Sequence, residues 1–137
     1  MAVELLVDTS VLKRVRRAEV RMVVEPLASA GKLGRATISD LEVGYSARNE
    51  SEWDLLVASL DAFVKIEVRS RHFERALQVQ RLLASRSQRG RKIPDLLIAA
   101  VAEAMDIGVL HYDADFDRIA EVTGQASEWV VAQGTLE

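Results

Sequence analysis

Ile93-Pro94-Asp95-Leu96-Leu97-Ile98-Ala99-Ala100-Val101-Ala102-Glu103 is the stretch whose reading decides the fold. Pro94 suits the first turn of a helix, where a missing N–H has no partner to lose, and Asp95 falls in that same turn. Leu96 to Ala102 then leave no polar face, so the helix must be buried on all sides. Met105-Asp106-Ile107-Gly108 closes it, and Val109-Leu110-His111-Tyr112 reads as a short buried strand ending at Asp113. In a parallel α/β sheet the crossover helices run antiparallel to the strands, so a helix start and a strand's carboxyl end share one edge. Asp95 and Asp113 are therefore expected to meet. Taken singly, each has a plainer role: Asp95 as a helix cap or dipole partner, Asp113 as a turn residue.

The remainder of the chain supports one folded unit. Its 137 residues fit a single domain, residues 1–137, and 49% hydrophobic with 28% charged residues is ordinary for a globular protein. Two prolines and seven glycines argue against disorder. The absence of cysteine excludes disulfides, zinc-thiolate sites and thiol nucleophiles. No apolar run approaches the ~20 residues of a membrane helix, and Met1 to Val7 meets Asp8 too soon for a signal peptide, so a cytoplasmic protein with no membrane partner is expected. A net charge of -3 gives no global positive field, although 18 residues are basic.

Strand and helix patterns alternate along the sequence. Glu4 to Val7 is a strand, and a helix capped by Thr9 or Ser10 follows Asp8, with Val11, Leu12, Val15 and Ala18 inward. The next helical pattern is interrupted at Pro26, which predicts a kink or two short helices ending at Gly31. Arg35 to Ile38 is the second strand, and Ser39 with Glu42 has the spacing of a capping box. A helix marked by Trp53, Leu56, Val57 and Leu60 leads to a third strand, Phe63 to Val68. Ser70 caps a long helix with Phe73, Ala76, Leu77, Gln80, Leu83 and Ala84 inward. A helix after Asp113 runs to Gly124, and Glu128 to Val131 is the last strand. The fold class is α/β, a three-layer arrangement with a central parallel sheet of about five strands flanked by helices.

Four acids converge in such a sheet. Asp8 ends the first strand, Glu42 enters the helix after the second, and Asp95 and Asp113 lie on the same edge. Two carboxylates ~4 Å apart repel by about 1 to 4 kcal/mol, so the cluster needs a positive occupant. Oxygen-only donors select a hard cation, Mg²⁺ or Mn²⁺, over zinc. Asp8 and Asp95 are the primary pair. Glu42 either ligates or completes the capping box. Asp115 and Asp117 serve the first turn of the following helix, with Asp115 also a candidate ligand.

Together, Asp8-Thr9-Ser10 after the opening strand, Ile38-Ser39-Asp40-Leu41-Glu42, Pro94-Asp95-Leu96-Leu97-Ile98-Ala99-Ala100 and Leu110-His111-Tyr112-Asp113-Ala114-Asp115-Phe116-Asp117 resemble the PIN-domain ribonucleases, and among them the VapC toxins of toxin–antitoxin pairs. The resemblance spans Leu5 to about Gly134. It implies a metal-dependent endoribonuclease with Asp8, Glu42, Asp95 and Asp113 in its acidic pocket and Asp115 as an extra ligand. It also implies an RNA substrate, inhibition by a cognate VapB-type antitoxin, and a homodimer. The loop Arg89-Gly90-Arg91-Lys92 departs from the His-Arg pair expected there.

Metal ions held by such carboxylates activate water for in-line attack and stabilise the leaving oxygen. Thr9 and Ser10 are placed to bond a ligand carboxylate or phosphate, or to cap the helix. An acidic pocket repels RNA, and Lys13, Arg14, Arg16 and Arg17 on one side with Arg89, Arg91 and Lys92 on the other are placed to compensate. Trp53, Phe63, Phe73 and Phe116 read as core, so base stacking is not expected. Three competing readings are weaker. A histidine acid–base pair would need His72 and His111 together; an aspartyl phosphatase needs a second Asp where Ser10 stands; a catalytically silent PIN-like protein-binding module would not need the complete acid set. No GxGxxG or P-loop pattern is present.

Overall fold

In the computed structural model, residues 2–88 and 90–136 are described. Its centre is a five-stranded sheet of β1 (Leu5–Val7), β2 (Leu33–Ala36), β3 (Val64–Ile66), β4 (Gly108–His111) and β5 (Ser127–Trp129). The spatial order is β3-β2-β1-β4-β5, and every adjacent pair is parallel. In β1, Leu5 is in register with Leu33 on one side and Gly108 on the other. The middle strands are the most apolar because helices cover both their faces.

The pleat divides the core in two. Leu6 and Val109 point to one face, where they meet Leu97, Ile98, Val101, Phe116 and Ile119; Val7 and Leu110 point to the other, against Val11, Val20, Leu33 and Leu60. Helices α5 (Ser70–Ser85), α6 (Ile93–Ala104) and α7 (Asp115–Thr123) cover the first face. Helices α1 (Thr9–Leu12) and α2 (Ala18–Ser29) cover the second, with α3 (Thr37–Tyr45), α4 (Glu50–Ala58) and a 3₁₀ turn at Ser59–Ala62 beside them. This is the expected three-layer α/β arrangement. Every residue of α6 from Asp95 to Ala102 is buried, as its composition requires. Burying each large apolar side chain there contributes roughly 1.5 to 3 kcal/mol.

Several local expectations are corrected. The second strand is Leu33–Ala36 instead of Arg35 to Ile38, and α3 already begins at Thr37, so Ser39 lies inside the helix and caps nothing. Within that strand Gly34 leaves room for its neighbours' side chains: a Cβ there would meet Ile66 Cδ1 at 2.6 Å. Helix α2 is one element through Pro26 and not two short helices, with Pro26 in its last turns and exposed.

Helix α5 is rotated by one position from the expected face. His72, Ala76, Val79 and Leu83 point inward, while Phe73 and Leu77 are 53% and 65% exposed. Two contacts set that rotation. His72 Nδ1 accepts the Arg69 N–H at 2.8 Å at the helix start, and Arg75 Nε donates to Glu103 on α6 at 2.6 Å. Arg69, not Ser70, occupies the cap position. Trp53 is 47% exposed, so of the four aromatics read as core only Phe63 and Phe116 are buried. The first, third and last strands are one, three and one residues shorter than the runs that announce them, the last also starting one residue earlier, and the fourth keeps its four residues but begins at Gly108 instead of Val109. Among the described residues, no helix is long and apolar enough to cross a membrane.

Candidate active site

Parallel strands deliver their carboxyl ends to one edge, and the acids gather there. Asp8 leaves β1 and caps α1, its Oδ2 accepting the Ser10 N–H at 2.9 Å. Thr9 and Ser10 were the expected caps; with Asp8 in that place, their hydroxyls are free for other work. The Tyr112 N–H donates to Ser10 Oγ at 2.9 Å, which ties the ends of β1 and β4 together. Thr9 Oγ1 lies 2.9 Å from Ser39 Oγ and 2.7 Å from Glu42 Oε1. One hydroxyl carries one proton, so Thr9 donates to the Glu42 carboxylate and accepts from Ser39. Glu42 is thus aimed by a relay of two hydroxyls and forms no capping box.

Asp95 sits in the first turn of α6, 4% exposed. Asp113 follows β4; its Oδ1 accepts the Asp115 N–H at 2.9 Å, and its own N–H donates to His111 Nδ1 at 3.2 Å. Asp8, Glu42, Asp95 and Asp113 line one cleft of about 250 Å³, together with Lys13, Arg14 and Lys92. Asp115 stands just behind, and carboxylate oxygens of Asp95, Asp113 and Asp115 come within 4.8 Å of one another. All five acids singled out from the sequence therefore meet at this edge. Asp117 does not join them: it accepts from Trp129 Nε1 at 3.2 Å.

The electrostatics of the cleft are unbalanced. Burial, then the charges of Asp8 and Asp113, then a hydrogen bond to Asp115 that only the protonated acid can make, push the Asp95 carboxyl up to about 9. Burial also raises Asp8, against the opposing effect of its Ser10 hydrogen bonds. Burial works the same way on Asp113, but the Lys92 ammonium at 2.6 Å and the Asp115 N–H outweigh it and hold this carboxyl below its ordinary value. Lys92 Nζ is also 4.0 Å from Asp95 Oδ2. Among the described residues, Asp8 Oδ1 and Asp95 Oδ2 are left buried without any hydrogen-bond partner. Unpartnered buried carboxylate oxygens in an all-oxygen donor set fit a hard divalent cation.

The basic loop before α6 behaves differently from the sequence expectation. Lys92 is paired with Asp113, and Arg91 Nη1 donates to Asp115 at 2.9 Å, so both are engaged by the protein's own carboxylates, although the Lys92 side chain is 62% exposed. Arg89 lies outside the described residues. The Lys92 to Asp95 interval, one helical turn, signals only the looser approach of Lys92 to Asp95 at 4.0 Å. His111 is buried between the rings of Phe116 and Trp129, and His72 caps α5; neither lines the cleft, so no histidine pair forms there. A larger, mainly apolar groove of about 1150 Å³ lies on the α2 and α4 side, bordered by Val24, Ala28, Leu55 and Leu56, and shares Lys13 with the acidic cleft.

Known proteins share this fold, and some share much of the sequence. The family model described as PIN domain matches residues 5–122. A Mycobacterium tuberculosis protein described as Ribonuclease VapC51 is 61% identical over 137 residues, covering 100% of both chains. Among solved structures, VapBC2 from Rickettsia felis bound to a promoter DNA fragment superposes with a TM-score of 0.77 at 15% identity, over 94% of this chain and 98% of the other. VapBC-5 from Mycobacterium tuberculosis, a member of the VapBC family of toxin-antitoxin systems, superposes with a TM-score of 0.61 at 22% identity, over 96% and 98%.

Proposed function

We propose, from the premise that this chain belongs to the PIN-domain family and within it to the VapC ribonucleases, that residues 1–137 form one PIN-like domain acting as a metal-dependent endoribonuclease, the toxin of a toxin–antitoxin pair. The observation that carries the reading is the pair of buried, unpartnered oxygens on Asp8 and Asp95 in a cleft lined by four carboxylates. Mg²⁺ or Mn²⁺ held there would supply Lewis acidity at the scissile phosphate and a water of lowered pKa. Asp8, Asp95 and Asp113 are assigned to hold the ion. Glu42, fixed by Thr9, completes the acid set, and Asp115 steadies Asp113 and serves as a further ligand. Lys92 keeps part of the charge balanced until the ion arrives.

The cytoplasm, where RNA is accessible, is the site of action. The partner is a VapB-type antitoxin, supported by the toxin–antitoxin assemblies among the structural neighbours and by the apolar groove that adjoins the cleft at Lys13. A homodimer is the proposed assembly, with exposed Leu41 and Tyr45 on α3 and Phe73 and Leu77 on α5 as apolar surface available to a second copy.

The test is cleavage of total bacterial RNA by purified, partner-free protein with Mg²⁺ or Mn²⁺, with and without chelator, beside Asp8→Asn. Cutting at discrete sites that needs metal and is lost in the mutant supports the reading. Folded, metal-supplied protein that leaves RNA intact would replace it with the silent binding module. Cutting that survives chelator and mutation would remove the acids from the chemistry.

A further inference from the structure

Arg91 and Lys92 flank the acidic cleft but are engaged by Asp115 and Asp113. Two other cations line the cleft, Lys13 and Arg14, and among the described residues neither has a carboxylate within 4.0 Å. Both belong to the turn between α1 and α2. Arg14 is firmly held in it. Its Nη1 donates to the Ser10 carbonyl at 2.7 Å, and its guanidinium carbon lies 5.0 Å from the centre of the Tyr112 ring. Among the described residues, one of the five guanidinium donors is engaged by the protein in this way.

Tyr112 is itself held from the far end of the chain. Its hydroxyl accepts the N–H groups of Gly134 and Leu136 at 3.0 and 3.1 Å. The Leu136 carbonyl in turn accepts from Arg17 Nη1 at 3.1 Å, and the Leu136 side chain is buried. The contacts form a closed circuit: Ser10 to Arg14, Arg14 to Tyr112, Tyr112 to Leu136, Leu136 to Arg17, with Tyr112 bonded back to Ser10. The turn carrying the two unpaired cations is thus clamped between the end of β4 and the chain's last residues. A guanidinium already fixed in this way loses little further freedom when it meets a ligand, and its planar fork matches phosphate oxygens.

We propose that residues 132–136 act as a strut that, through Tyr112, positions Arg14 to bind a phosphodiester group of the RNA beside the carboxylates. The inference rests on the nuclease reading and adds to it a phosphate-binding residue and the segment that aims it. Arg14 touches substrate; Tyr112 and the strut are positioning elements.

The test measures binding of a short fluorescein-labelled single-stranded RNA to full-length protein in chelator, by anisotropy across a salt series, with cleavage kinetics in Mn²⁺ alongside. Arg14→Gln is expected to bind about 10-fold more weakly and to lower the slope of log K against log salt by about 0.7, the signature of one lost phosphate contact on a single strand. Arg14→Lys restores that slope but only part of the affinity, because an ammonium lacks the planar fork. Tyr112→Phe keeps the ring under Arg14 and releases the strut, so it retains the slope and binds about 3-fold more weakly, with faster hydrogen exchange at the Gly134 and Leu136 amides. In cleavage, all three raise KM with little change in kcat. An Arg14→Gln protein with the wild-type slope overturns the assignment of Arg14. A Tyr112→Phe protein whose tail amides exchange freely while affinity and KM are unchanged overturns the strut. Wild-type protein that neither binds nor cuts RNA brings down the nuclease reading as well, whereas normal cleavage by Arg14→Gln refutes the present inference alone.

Discussion

Replacing Asp95 with Asn should make the metal-free protein more stable, by an amount that depends on pH in a defined way. The folded chain holds the Asp95 proton up to about pH 9, whereas the unfolded chain releases it near the ordinary value of 3.8. Between those limits the unfolded state binds fewer protons, so stability falls as pH rises, by at most about 1.4 kcal/mol per pH unit. Integrated to pH 7 the penalty reaches about 4 kcal/mol, and relaxation around a carboxylate with the Lys92 ammonium 4.0 Å away reduces it to about 2 to 4 kcal/mol. Asn carries no proton to lose, matches the shape of the neutral acid and donates to Asp115 as that acid does. In chelator at pH 7, Asp95→Asn should therefore melt about 6 to 12 °C above wild type, at roughly 3 °C per kcal/mol for a chain of this size. At pH 4 the two should melt together. Calorimetry from pH 4 to 8 is the assay; equal melting temperatures at pH 7, or a difference that ignores pH, would refute the charge-strain argument. Adding Mn²⁺ should raise the wild-type melting temperature and leave the Asn variant nearly unmoved.

Lys92→Gln removes the ammonium that competes with a divalent ion for Asp113. A unit charge and a divalent ion about 5 Å apart repel by roughly 2 kcal/mol at an effective dielectric of about 70, so titration calorimetry should show Mn²⁺ binding tightened about 30-fold, and weaker binding would mean that Lys92 helps to build the site. Thr9→Val breaks the relay between Ser39 and Glu42 inside the protein and should lower denaturant stability by about 1 to 3 kcal/mol; a neutral effect would show that the relay carries no load. Leu97→Asp places a charge in the fully covered helix α6 and should prevent cooperative folding, since its several kcal/mol approach the total stability of a domain. A soluble variant with a single sharp melting transition would contradict the placement of that helix.

The sheet and the acids were legible in the sequence because each rests on a short-range signal. Pro94 followed by unbroken apolar residues announces α6, and an Asp closing an apolar run announces the edge on which it will lie. Aspartates 8, 95 and 113 needed only the rule that parallel strands end on one side. Features set by partners distant in sequence were not legible. The face of α5 depends on His72 bonding Arg69 and on Arg75 reaching Glu103, so Phe73 and Leu77 read as core and proved exposed. Ser39 and Glu42 have capping spacing, yet Thr9, 30 residues before Ser39, claims them both. The basic loop looked like RNA-binding surface because no local pattern reveals that Asp113 and Asp115 lie within reach of Lys92 and Arg91.

The pairing of β1 with β4 carries a consequence for how the protein comes into being on the ribosome. Leu5 is made long before its partner Gly108, and Ser10 about a hundred residues before the Tyr112 that bonds it. Parallel pairing across so long an interval is slow, because the loop must close before any contact rewards it. Until then Asp8 has neither Asp95 nor Asp113 beside it, and the four-carboxylate cleft does not exist. The cleft is therefore a product of long-range assembly: residues 95–113 must fold against β1 before the carboxylates stand side by side.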